Sequence, residues 1–174
     1  VAGFGANSGD WCIPALVHLV ERLAKGDDVH VVALRYPYLA GRYDLFGARV
    51  TALGGGTRQG VGSVLLWRRA FSLLASEHRR RRFGVIHAFW ANETGAAASV
   101  AGRVLGVPTI VSVGGGELVG LRDIAYGGQL ARTERVKVGL APRLATRVTV
   151  GTETLRELAA RTIGGREARI SAGA

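Results

Sequence analysis

This sequence predicts an α/β fold, with a mostly parallel sheet covered by helices on both faces. Three observations carry that reading. Short β-branched, apolar runs at residues 29–34, 85–89, 107–113 and 147–150 alternate with segments of helical periodicity along the whole chain. Those runs are apolar almost throughout rather than alternating, as strands buried on both faces are. Glycine-rich stretches follow the strands at residues 5–10 and 114–129, and sheets of this kind collect ligands at the carboxyl ends of their strands.

Residues 1–4 read as the end of a first strand that enters the loop 5–10. A helix over 13–24 follows, with Ile13, Leu16, Val17, Val20, Leu23 and Ala24 at helical spacing, Pro14 in its first turn and Gly26 just past its end. Residues 29–34 form a second strand, and 49–53 a third, ended by Gly54, Gly55 and Gly56. A helix over about 62–82 is expected to turn Val64, Trp67, Phe71 and Leu74 to one side. Strand 85–89 precedes a helix over 94–105, whose small residues permit close approach to a sheet and which Gly106 stops. Strand 107–113, a helix over about 130–144, strand 147–150, a helix over 153–161 and a strand-like end at 169–174 complete the order. Loops 5–10, 87–94 and 114–129 should therefore share one rim, in a Rossmann-like arrangement.

The 174 residues suit one domain, and 48% hydrophobic with 21% charged residues is the balance of a packed core. No apolar run approaches the ~20 residues of a membrane-spanning helix. Val1 begins inside a strand pattern, no methionine occurs, and the sequence ends in another such pattern. The expectation is one domain over 1–174 that continues at both ends. Cys12 is the single cysteine, compatible with a reducing cytoplasm, the expected location. The net charge of +10, from 23 Lys+Arg against 13 Asp+Glu, favours polyanionic partners. Arg68, Arg69, Arg79, Arg80, Arg81 and Arg82 make a basic strip beside Trp67 and Phe71, which suits the inner face of an anionic membrane or a plain solvated helix face. No nucleic-acid motif accompanies the charge.

The loop Gly3-Phe4-Gly5-Ala6-Asn7-Ser8-Gly9 nearly matches the dinucleotide fingerprint, with Ser8 at its third glycine position and Arg35 rather than an acid ending the next strand. Its backbone amides suit phosphate or sugar groups, which makes Gly5, Asn7, Ser8 and Gly9 candidate ligand residues. A strand end carries His87, Trp90, Asn92 and Glu93, where a histidine could bind a hydroxyl or relay a proton. No second ligand stands at metal spacing from it, so neither a metal nor any other cofactor is expected. After the next strand, Gly114, Gly115 and Gly116 would let a bulky ligand reach the backbone. Glu117, Asp123, Tyr126 and Gln129 supply the directional donors and acceptors that a polyhydroxyl ligand needs. Two other classes remain open on these residues: a nucleotide-dependent NAD(P) oxidoreductase domain and a non-catalytic membrane-surface module.

Val85-Ile86-His87-Ala88-Phe89-Trp90-Ala91 is similar to the "VIHAHWA" strand of family-four glycosyltransferases, the large retaining group of the GT-B fold. Leu105-Gly106-Val107-Pro108-Thr109-Ile110-Val111-Ser112-Val113 resembles their "LGIPxVVTV", and Arg147-Val148-Thr149-Val150-Gly151-Thr152-Glu153-Thr154-Leu155 their "ADRVVAVSEAL". The resemblance covers essentially the whole chain and implies the N-terminal half of a two-domain GT-B enzyme. It further implies retaining, metal-independent transfer from a nucleotide-sugar, with the acceptor on this domain and the donor on a C-terminal one. Many members carry His-Gly-Ser-Asp after the strand corresponding to 109–113. Here Gly114 takes the place of that histidine, and Glu117 matches the acid. Either this is a branch that uses Gly-Gly-Glu-Leu, or His87 serves instead. His87 and Glu117 are thus the catalytic candidates.

Overall fold

The computed structural model describes residues 13–57, 60–163 and 170–172. The expected first strand at 1–4 and the loop bearing Gly5, Asn7, Ser8 and Gly9 lie outside the described residues. The chain divides into two compact units, 1–73 and 74–174.

The first unit opens with α1 (Pro14–Leu23), where Leu16 and Val20 are buried one turn apart. Strands β1 (His30–Ala33), β2 (Gly41–Leu45) and β3 (Ala48–Ala52) form a sheet of order β1-β3-β2. β1 runs parallel to β3, whereas β2 is antiparallel to it. β2 has no counterpart in the hydrophobic periodicity of the sequence. Gly-Arg-Tyr-Asp-Leu is a polar, largely exposed edge strand with no apolar run to announce it. It is closed by the two-residue turn Phe46–Gly47, both at positive φ (51° and 82°), the backbone that a tight hairpin requires. Arg35 ties the end of the β1 segment to the glycine turn, donating from Nη1 to the Gly56 carbonyl (2.9 Å) and from Nη2 to the Ser63 hydroxyl (2.9 Å).

α2 (Val61–Arg80) places Leu66 and Ala70 against Leu34 and Leu53. The buried side is therefore not the expected one. Val64 is 60% and Phe71 36% exposed, while Leu66, Ala70 and Ala75 are buried. Apolar residues occur nearly all round this helix, so spacing alone does not tell which of them meets a sheet.

The second unit is a four-stranded, wholly parallel sheet, β4 (Ile86–Phe89), β5 (Thr109–Val113), β6 (Arg147–Val150) and β7 (Ile170–Ala172), in that spatial order. Helices α3 (Glu93–Leu105), α4 (Arg132–Leu144) and α5 (Glu153–Ile163) connect its strands, giving the Rossmann-like α/β architecture that the alternation predicts. Within it, burial alternates along β5: Thr109, Val111 and Val113 are buried, Ile110 and Ser112 half-buried.

α3 approaches so closely because one side of it is nearly bare. Ser99 donates to the Ala141 carbonyl of α4 at 3.1 Å. A β-carbon at Gly95 would lie 3.2 Å from Ala141 Cβ, and one at Gly102 would fall onto the Thr109 hydroxyl and 2.8 Å from the Val107 carbonyl oxygen. Asn92 caps the helix start by accepting from Thr94 N (3.2 Å), and Gly106, at φ 68°, ends it.

Overpacking such an interior costs about 1–3 kcal/mol. Urea unfolding should place Gly102→Val at least that far below the parent protein. Arg103→Ala, at the neighbouring exposed position, should change stability by less than about 0.5 kcal/mol.

Candidate functional site

The loops after β4 and β5 emerge at the carboxyl edge of the parallel sheet, where backbone groups run out of strand partners. Trp90 leaves β4 at φ 67°, an uncommon backbone for a bulky residue. Hydrogen bonds hold it there. Trp90 N donates to the Ser112 carbonyl (2.7 Å), and the next amide, Ala91 N, donates to Glu117 Oε1 (3.1 Å).

Glu117 sits in a 3-10 turn over Gly116–Leu118 and is only 7% exposed. Its Oε1 also accepts from Gly114 N (3.0 Å), and its carbonyl accepts from Gln129 Nε2 (2.8 Å). Gly128 packs on the Glu117 backbone closely enough that a β-carbon there would lie 3.0 Å from its Cα. One residue thus joins three loop segments, at 90–91, 114–118 and 128–129. Glu117 is expected from the sequence to accept hydrogen bonds from a sugar hydroxyl, but Oε1 is committed to the backbone. Gln129 is likewise drawn inward.

Side chains of the same unit stand close to all three glycines, although Gly114 itself stays exposed. A β-carbon would meet the Trp90 indole nitrogen at 2.9 Å from Gly114, Leu155 Cδ2 at 2.9 Å from Gly115, and the Tyr126 hydroxyl at 2.6 Å from Gly116. Space above Gly115 is expected to admit substrate, yet Leu155 of α5 occupies it. Glycine is required here because side chains of the same unit close over the turn, and Gly115 adds a φ of 108°.

Residues 121–126 project from this base as an exposed turn. Leu121 and Tyr126 exchange backbone hydrogen bonds (2.7 and 3.0 Å) at its neck. Asp123 is exposed near its tip, and Tyr126 is 54% exposed at its base although its hydroxyl lies over Gly116. Asn92, by contrast, is occupied as the cap of α3.

His87 lies on the half-buried face of β4. Its Nε2 is 2.8 Å from Ser112 Oγ, which in turn is 2.7 Å from Thr149 Oγ1. Its ring stacks on Phe89 at 4.5 Å. Burial strips water from the imidazolium and lowers the pKa below the usual histidine value, so the ring is neutral near pH 7. Ser112, Thr149 and Ser171 share one register across β5, β6 and β7. They line an open depression of about 340 Å³ that Val113, Val150 and Gly151 continue. None of these hydroxyls stands out in the sequence as a site residue. Their signal was the apolar strands' own exceptions, Ser112 and Thr149, but only pairing of the strands aligns them. Among the described residues no group of three His, Cys, Asp or Glu is placed to hold a metal ion.

The basic residues Arg68, Arg69, Arg79, Arg80, Arg81 and Arg82 are all exposed. Arg82 Nη1 lies 3.0 Å from Nε2 of the buried His78, whose Nδ1 accepts from Phe83 N (3.0 Å). No helix among the described residues is long and apolar enough to cross a membrane.

The glycosyl transferase 4-like domain family matches residues 13–172, from α1 to the end of β7. The chain belongs to that family. As such a domain it carries a module of glycosyl transfer, in agreement with the strand motifs at 85–91, 105–113 and 147–155. Among solved structures, UDP-GlcNAc 2-epimerase from Methanocaldococcus jannaschii is similar at 14% identity and a TM-score of 0.49, over 70% of this domain and 30% of that chain. The domain therefore spans less than a third of that protein's length. No curated protein matches its sequence.

In this glycosyl transferase 4-like domain, removing the Glu117 carboxylate strands two backbone donors. Each unsatisfied buried donor costs roughly 1–3 kcal/mol. The Ala91 donor is buried and the Gly114 donor only partly so, and Glu117→Ala should therefore lower the urea-unfolding free energy by about 1–3 kcal/mol, with Glu117→Gln losing less because its amide oxygen still accepts. A Glu117→Ala protein as stable as the parent would remove this residue from the framework of the loops.

Proposed function

We propose that this chain is the acceptor-side domain of a retaining GT-B glycosyltransferase that uses a nucleotide-sugar donor and requires no metal. Family membership across residues 13–172 is the observation that carries the reading. In this proposal a second domain beyond residue 174 binds the donor, and the chain alone does not turn over. Asp123, outward on a turn whose base Glu117 fixes, and the partly exposed Tyr126, whose hydroxyl lies over Gly116, contact acceptor hydroxyls. Trp90 and Gly114 frame the rim beside them, and residues 5–9 meet phosphate or sugar. Retaining chemistry of this type depends on stabilising the departing diphosphate more than on a strong protein base. A neutral His87 is compatible with that demand.

The test is transfer by the full-length protein across a panel of sugar nucleotides and acceptors, with the product anomer read by proton NMR. Retained configuration is expected, together with a fall of roughly ten- to a hundredfold in rate for an Asp123→Ala, Tyr126→Phe double variant, the worth of one or two lost hydrogen bonds. An inverted product, or turnover by residues 1–174 alone, would overturn the reading.

We further propose that the domain works against the inner, anionic face of a membrane. Along α2, the exposed Val61, Val64 and Leu65 stand a turn ahead of Arg68 and Arg69, so apolar side chains and cationic heads occupy neighbouring exposed positions. Each arginine near such a surface contributes about 1 kcal/mol, and salt screens it. Binding to phosphatidylserine vesicles should be weak, should fade with added salt, and should vanish when Arg79, Arg80 and Arg81 are reversed to Glu. Unchanged cosedimentation of that triple variant would leave this strip a solvated face.

A further inference from the structure

Ser112 lies where two side-chain hydrogen bonds meet. On β5 it stands directly opposite Phe89 of β4 and Thr149 of β6, while His87 stands two residues before Phe89 on the same face. The parallel register therefore brings an imidazole and two hydroxyls into one line across three strands. The distances, 2.8 Å from His87 Nε2 to Ser112 Oγ and 2.7 Å from there to Thr149 Oγ1, are those of two well-formed hydrogen bonds.

The two ring nitrogens of His87 are consequently unlike. Nε2 is committed to Ser112, whereas Nδ1 has no hydrogen-bond partner among the described residues. No buried side-chain nitrogen or oxygen described lacks a partner, so Nδ1 reaches the surface. Phe89, stacked at 4.5 Å, limits how the ring can turn. We infer that Ser112, backed by Thr149, is a positioning residue that holds His87 by Nε2 and leaves Nδ1 as the nitrogen offered to a ligand oxygen.

A hydroxyl donates one hydrogen bond, so the line has two polarities. When Nδ1 meets an acceptor, such as a phosphate oxygen, Thr149 donates to Ser112, Ser112 donates to Nε2, and the ring proton sits on Nδ1. When Nδ1 meets a donor, such as a sugar hydroxyl, the ring proton sits on Nε2 and points to Ser112, which turns its own proton to Thr149. The ring is uncharged in both, and passage between them exchanges one ring proton with solvent and rotates two hydroxyls. His87 thereby serves either oxygen type without acquiring the charge that its burial opposes. The use of this device in sugar transfer rests on the function proposed above, but the positioning of the ring does not.

Nuclear magnetic resonance of the 15N-histidine-labelled chain tests it, with the His87 signals assigned by their loss in His87→Asn. Thr149→Val, nearly isosteric in a strand, should move the His87 tautomer ratio and leave His18, His30 and His78 in place, while Thr149→Ser restores the parent spectrum. Diethyl pyrocarbonate should acylate His87 at Nδ1 in the parent protein, and Ser112→Ala should open Nε2 to it. Acylation of the parent at Nε2, or a His87 spectrum indifferent to Thr149→Val, would overturn the inference. Should Ser112→Ala fail to give a folded amide spectrum, the parent's acylation site and the Thr149 pair decide alone. None of these readouts requires turnover, so an inactive full-length protein would refute the proposed function and leave the positioning standing.

Discussion

A parallel sheet delivers its loops to one edge together with backbone donors that have lost their strand partners, and at this edge a single carboxylate oxygen takes up two of them. Oε1 of Glu117 accepts from Ala91 N after β4 and from Gly114 N after β5. Burying a carboxylate costs several kcal/mol unless hydrogen bonds compensate, and charge-assisted bonds from backbone amides are among the stronger compensations. The conformations around it depend on that exchange. Trp90 keeps a left-handed backbone, Gly115 a φ of 108°, and Gln129 closes the third segment on the Glu117 carbonyl.

This framework determines what the edge can present. Leu155 packs over Gly115 and the Tyr126 hydroxyl over Gly116, while Gly114 stays exposed. The outward groups are those on the turn at 121–126, which projects from the pinned base. A rigid base carrying an exposed, polar and apolar turn is the usual division of labour between scaffold and recognition loop. The packing beneath follows the same economy of space: Gly95, Ser99 and Gly102 let α3 lie close to α4 and to Thr109, which holds β4 and β5 where Glu117 can bridge their ends.

Beside the loops, the half-buried face of the sheet has a polar line of its own. Strand residues with hydroxyls are ordinary singly, but Ser112, Thr149 and Ser171 occupy one register on adjacent strands and run up to His87. Hydrogen bonding within the line satisfies groups that would otherwise weaken a strand face. It also gives the ring a defined orientation without any neighbouring charge.

The sequence by itself determined the alternation of strands and helices, the end of α3 at Gly106, and the family, because periodicity and helix-stop signals are local and the strand motifs are contiguous. It also located the edge where Trp90, Gly114 and Glu117 meet, since topology alone sends those loops there. It did not contain β2, whose exposed polar strand has no apolar signature, nor the buried side of α2, where apolar residues surround the helix. Above all, it did not distinguish a carboxylate that binds ligand from one that binds backbone. That choice belongs to tertiary structure: whether Glu117 Oε1 finds water, a sugar or two amide protons depends on loops 26 residues apart in sequence, and their approach is set by the packing of α3 and the pairing of β4 with β5.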